Sequence, residues 1–181
     1  MHPRRLILPA VFVFALAAVS AEEDAAPKPA ELEFLKSAVG VWDARIEVWA
    51  QGPEAPPIKF EGVETNRAYG DHWLSSDFES EFQGQTMKVH SIVGYDREKK
   101  RMTGMIIDDG PYAARMTGVY DKGSQTVHWK TVARGADGTP MFQETSVTQQ
   151  GPDQRVLELA VSGEKEGPFT KFMRIEFVRR K

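Results

Sequence analysis

From Gly40 to the C-terminus the chain repeatedly alternates apolar and polar residues. Trp42, Ala44, Ile46 and Val48 are separated by Asp43, Arg45 and Glu47, the period of two that a strand with one buried face imposes. Leu74, Phe78 and Phe82 alternate in the same way with Ser75, Asp77, Glu79 and Glu81. Further on the inward set moves to odd positions. Met87, Val89, Val93 and Tyr95 oppose Lys88 and His90, with Ile92 breaking the alternation; Leu157, Leu159 and Val161 oppose Glu158; Phe169, Met173, Ile175 and Phe177 oppose Arg174 and Glu176. The stretch from Met141 to Gln150 is polar on both faces and yields no inward set.

Turn-forming clusters punctuate these runs at Gly52–Pro57, Gly70-Asp71, Gln83–Gln85, Asp96–Lys100, Asp109–Pro111, Lys122–Ser124, Gly135–Gly138, Gly151–Asp153 and Gly163–Pro168. Their centres lie roughly 12 to 16 residues apart, enough for one strand and a short turn but too little for the crossover a parallel pair needs. The expected fold is therefore all-β, with about ten antiparallel strands. An open sheet of this size would leave two unpaired edges, so closure into an up-and-down β-barrel is expected.

Ahead of the strands, Leu32, Leu35 and Val39 fall at helical spacing within Ala30–Ala38. A helix this short is unstable alone and must dock. With an even strand count the first and last strands meet antiparallel at the seam. Trp42 then neighbours Arg179, and the guanidinium can cover the indole, a contact worth about 0.5 to 2 kcal/mol. The helix enters at the same end and is expected to cap it.

The N-terminus has a different character. Arg4 and Arg5 precede an apolar run from Leu6 to Ala18, followed by the small residues Val19-Ser20-Ala21, the organisation of a cleaved secretory signal. The run falls short of the ~20 residues that span a bilayer. Residues 1–21 are read as a signal peptide, 22–30 as a flexible leader, and 31–181 as a single domain. The expected destination is the periplasm or the extracellular space, without stable membrane insertion after cleavage. The 181 residues include no Cys, which removes disulfides, thiolate metal sites and thiol catalysis together. Without Arg4 and Arg5, 21 basic residues face 26 acidic ones, a net charge of −5, which argues against nucleic acid as a partner.

Gly40-Val41-Trp42 matches the Gly-x-Trp signature at the first strand of lipocalins, answered by a basic residue near the C-terminus, here Arg179. The series Leu35 to Asp43, Glu64-Thr65-Asn66-Arg67, Gly94-Tyr95-Asp96, Asp108, Tyr120-Asp121, Asp137-Gly138 and Arg179 resembles the bacterial family of unknown function DUF1579. That resemblance covers about residues 31 to 181. It implies a lipocalin-like barrel and no particular activity.

The interior of such a barrel is a usual place for one small ligand. Even positions of the second and third strands direct Ile58, Phe60, Gly62, Glu64, Asn66, Leu74, Ser76 and Phe78 inward. Phe60, Glu64, Asn66, Leu74, Ser76 and Phe78 are the candidate ligand-binding residues, for a small lipophilic or amphipathic molecule. An inward carboxylate must be neutralised, solvated or bound, and a barrel-end arginine would serve Glu64. Two other readings stay open: a small barrel enzyme using Glu64 as acid or base, and a structural or interaction module with a filled core.

No nucleophile elbow, zinc-protease helix, phosphate loop or dinucleotide fingerprint occurs, so no catalytic residue and no cofactor is assigned. Of the three histidines outside the signal, His90 falls opposite roughly Phe78 and His128 opposite roughly Thr117. Both look outward, and only His72 has inward parity. No metal site is expected. Asp108 and Asp109 point to opposite faces, Asp77, Glu79 and Glu81 form an outer solubilising row, and Asp96 and Asp121 are expected to accept turn amides.

Overall fold

The computed structural model describes residues 29–135 and 137–181; the expected signal peptide and all but the end of the leader lie outside them. The alternating runs become ten strands: β1 Gly40–Val48, β2 Ile58–Tyr69, β3 Trp73–Phe82, β4 Gln85–Asp96, β5 Arg101–Asp108, β6 Ala113–Asp121, β7 Thr126–Arg134, β8 Pro140–Gly151, β9 Gln154–Ser162 and β10 Thr170–Arg179. Each pairs antiparallel with its chain neighbours, and β1 pairs with β10 to close the barrel. The seam register sets Trp42 opposite Arg179 and Ile46 opposite Ile175.

Helix α1, Ala30–Ser37, has Glu31 and Glu33 in its first turn, where carboxylates favour the helix dipole. Leu32 and Leu35 are buried with Leu74, Met102, Val127 and Trp129 across the barrel end, and the Phe34 ring packs tilted against Tyr120 at 5.0 Å between centroids. Val39 does not join this face: the helix stops at Ser37, Ala38 takes the buried place, and Val39 is exposed.

Three side chains grip the end of α1. Arg179 donates from Nη1 to the Val39 carbonyl and from Nη2 to the Ser37 carbonyl, both at 2.6 Å. Trp42 Nε1 and Asn66 Nδ2 both donate to the Ala38 carbonyl, at 2.8 and 3.1 Å. These donors satisfy carbonyls that a helix terminus leaves without partners. The Arg179 guanidinium also lies over the Trp42 ring, 4.1 Å from its centroid.

The glycine of Gly-x-Trp has a steric reason. Gly40 has φ +131°, and a Cβ there would sit 2.6 Å from Arg179 Nη1. A side chain would strain the backbone and push away the cation that holds the helix.

Three further details depart from the alternation pattern. Between Lys171 and Met173 the pairing of β10 with β9 shifts register. That bulge breaks the parity, and Phe169, which lies before the strand begins, drops out of the inward set. Ile58 is exposed at the end of the barrel away from α1. In β8, Gln143, Thr145 and Val147 face the interior, a set the polar sequence does not reveal.

Gly40→Ala is expected to lower stability by about 1 to 3 kcal/mol through strain and loss of the Arg179 contacts. Urea unfolding with the slope held equal measures it, and an unchanged midpoint would refute this role for Gly40.

Candidate ligand site in the barrel interior

Residues two apart on a strand share a face, and register then decides which of them meet across strands. Glu64 lies opposite Phe78, Asn66 opposite Ser76 and Ala68 opposite Leu74. Phe60, Glu64, Asn66, Leu74, Ser76 and Phe78 all line one interior cavity of about 310 Å3. Leu35 of α1 and Ala38 just after it close its helix end, and Phe60 stands further along β2, its ring 5.1 Å from that of Phe82. The wall between is mainly aliphatic and aromatic, with Ser76, Ser91, Thr131 and Thr145 as small polar points.

Two glycines shape the wall. A Cβ on Gly62 would come within 2.9 Å of Phe78 Cζ, and one on Gly118 within 2.7 Å of Trp129 Cε3. Both rings therefore lie against backbone that carries no side chain.

The chemistry is concentrated at the floor, near α1. Glu64 is ion-paired through Oε2 to Arg155 Nη2, and the same oxygen accepts from Asn66 Nδ2 at 2.8 Å. Arg155 is 7% exposed. Its guanidinium lies over the rings of Trp42 and Phe177, at 4.6 and 4.3 Å from their centroids. Burial, and secondarily the nearby Arg179 cation, push the Arg155 pKa down to about 9, so it remains a cation at neutral pH. Besides Arg155 Nη2, which meets the Glu64 carboxylate in the ion pair, four buried side-chain atoms among the described residues have no hydrogen-bond partner: Arg155 Nε, a donor; Asn66 Oδ1 and Gln149 Oε1, acceptors, Gln149 lying across the strands from Arg155; and Ser80 Oγ.

Arg155 is the residue that sequence reasoning missed. Its parity with Leu157 and Leu159 places it on the inward face, and the requirement for a cation beside Glu64 supplies the second half of the signal. The ion pair also bears on the acid or base reading of Glu64, whose carboxylate is already held by a cation and an amide.

The other sequence candidates lie elsewhere. His90 pairs across the strands with Asp77, not Phe78, and its Nδ1 is 2.7 Å from Asp77 Oδ1. His128 lies opposite Val119, not Thr117. The two-residue turn at Gln83-Gly84, with Phe82 opposite Gln85, sets the first of these registers. His72 lies exposed in the β2–β3 turn. Among the described residues no three His, Asp or Glu side chains converge to hold a metal ion. Arg67 is 2.5 Å from Asp77 on the outer face, and Lys88 is 3.2 Å from Glu79. Asp108 and Asp121 accept the amides of Gly110 and Gly123 at 2.8 Å, and Asp96 accepts that of Lys99 at 3.0 Å.

Removing one partner of a buried ion pair strands the other charge, at a cost of about 3 to 5 kcal/mol, whereas replacing both with apolar residues is close to neutral. Glu64→Leu alone is therefore expected to destabilise strongly, and Glu64→Leu with Arg155→Met to restore most of the loss. A double-mutant cycle of urea midpoints reads the coupling; additive losses would contradict it.

Comparison with known proteins fits this architecture. The structure is similar to Rv2717c from M. tuberculosis, with a TM-score of 0.66 at 12% identity, covering 86% of this chain and 99% of that one. It is also similar to the S-type phycobiliprotein lyase CPES from Guillardia theta, with a TM-score of 0.59 at 12% identity, covering 82% and 92% of the two chains. At these identities the likeness concerns the fold. The curated protein sequences contain no match. A family model described as a protein of unknown function, DUF1579, matches residues 28–179, spanning α1 and the barrel to its closing arginine, and the chain belongs to that family.

Proposed function

We propose that this protein is exported and binds one small apolar or amphipathic molecule inside its barrel. The observation that carries the reading is the interior cavity of about 310 Å3, mainly apolar along its wall and charged at one end. That volume lies at the lower end of the roughly 300 to 1,000 Å3 usual for small-molecule sites. A core packed shut would leave no void of this size. The unpartnered donor and acceptor at the floor support the same reading, since buried polar groups normally find partners. The shared fold with a phycobiliprotein lyase supports a barrel put to use on a small molecule. Among the described residues no helix is long and apolar enough to cross a membrane. Export rests on the basic and apolar pattern of residues 1–21.

Two outcomes are expected. The purified mature chain takes up the uncharged lipophilic dye prodan, with a blue-shifted emission, and Ser91→Phe, which puts a ring into the cavity, weakens uptake at least about tenfold with the far-UV circular dichroism unchanged. A dye-refusing protein that also carries no lipophile in native mass spectrometry would overturn the binding reading in favour of a filled structural module. In cells making the full chain, N-terminal sequencing of protein recovered outside the cytoplasm should begin at Glu22. An intact N-terminus on cytoplasmic protein would overturn export.

A further inference from the structure

The proposed site has one polar end, and its charge balance bears on the class of molecule it takes. We infer that the cavity selects a lipophile whose head is uncharged and hydroxyl-bearing, such as a medium-chain alcohol, over the corresponding carboxylate. The inference rests on the reading that the interior binds a lipophile and goes further by naming the head group.

The floor holds one buried cation, Arg155, and one carboxylate, Glu64, in direct contact. Their charges cancel. The next cation, Arg179, is committed to the Ser37 and Val39 carbonyls and to Asp153 Oδ1 at 3.2 Å. A ligand carboxylate entering here would be a second buried anion without a free counterion, facing Glu64 and the Asn66 Oδ1 acceptor. A hydroxyl meets the floor differently. The unpartnered atoms around the pair are a donor, Arg155 Nε, and two acceptors, Asn66 Oδ1 and, on the residue across the strands from Arg155, Gln149 Oε1. A hydroxyl can accept from the donor and donate to an acceptor, whereas an ionised carboxylate only accepts. Neither bond disturbs the ion pair.

Size limits the tail. At ~30 Å3 per water-sized unit, the cavity holds about ten such units, the scale of a chain of ten to twelve carbons along the apolar wall towards Phe60.

The test compares dodecanol with dodecanoate as competitors of prodan, at about pH 8, where the acid is ionised. The wild-type protein is expected to bind the alcohol at least tenfold more tightly. Glu64→Gln leaves Arg155 without its counterion and is expected to reverse the preference towards dodecanoate. Should that variant not fold, Glu64→Gln with Arg155→Met provides an uncharged floor and is expected to keep the preference for the alcohol. Preference of the wild type for dodecanoate would overturn the inference while leaving lipophile binding intact. So would a folded Glu64→Gln protein with unaltered preference, or a paired variant that favours dodecanoate. If the wild type takes up neither prodan nor either competitor, the binding reading itself fails, and the head-group inference with it.

Discussion

The closure of the barrel at its helix end is organised around Trp42, and much of the architecture depends on it. The Arg179 and Arg155 guanidinium groups both lie over its ring, while its Nε1 holds the last turn of α1. The seam between β1 and β10, the docking of α1 and the floor of the cavity thus meet at one fully buried indole. A chain without cysteine has no disulfide to secure this closure. Cation–π contact, hydrogen bonds to helix-terminal carbonyls and hydrophobic burial take that part. Gly40 is the steric complement, leaving room for Arg179 where a side chain would displace it.

The same arrangement gives the interior its polarity. Arg155 reaches Trp42 from β9 and is buried there, so it requires a counterion, and Glu64 on β2 supplies it. The helix end of the cavity thereby carries its charged groups, and the remainder of the wall is mainly apolar, with small polar points at Ser76, Ser91, Thr131 and Thr145 and the amide of Gln143. Phe78 and Trp129 lie over Gly62 and Gly118, which allows two large aromatic rings to keep close to the wall. One construction both closes the barrel and leaves an amphipathic space inside it.

Parity along single strands identified the inward candidates from sequence, because the alternation of side chains is a local property of extended backbone. It served less well wherever another part of the chain intervened. Val39 continues the helical spacing, yet the helix ends two residues earlier. Phe169 continues the alternation of the last strand, yet a bulge interrupts it. The inward face of β8 carries Gln143 and Thr145 beside Val147, and polar residues on both faces erase the periodic signal. Arg155 has inward parity but a residue type that parity rules set aside, since a lone inward arginine is costly until its partner is known.

The sequence by itself determined the strands, their turns, the antiparallel order and the meeting of Trp42 with Arg179. Each follows from a local period, a short connection or the need to eliminate sheet edges. Only the tertiary structure decided that Arg155 and Glu64 form one neutral pair, which atoms of the floor remain unpartnered, and how much space survives above them. Those features depend on strand register and on how rings from distant strands fill one volume, and neither is encoded in any short stretch of chain.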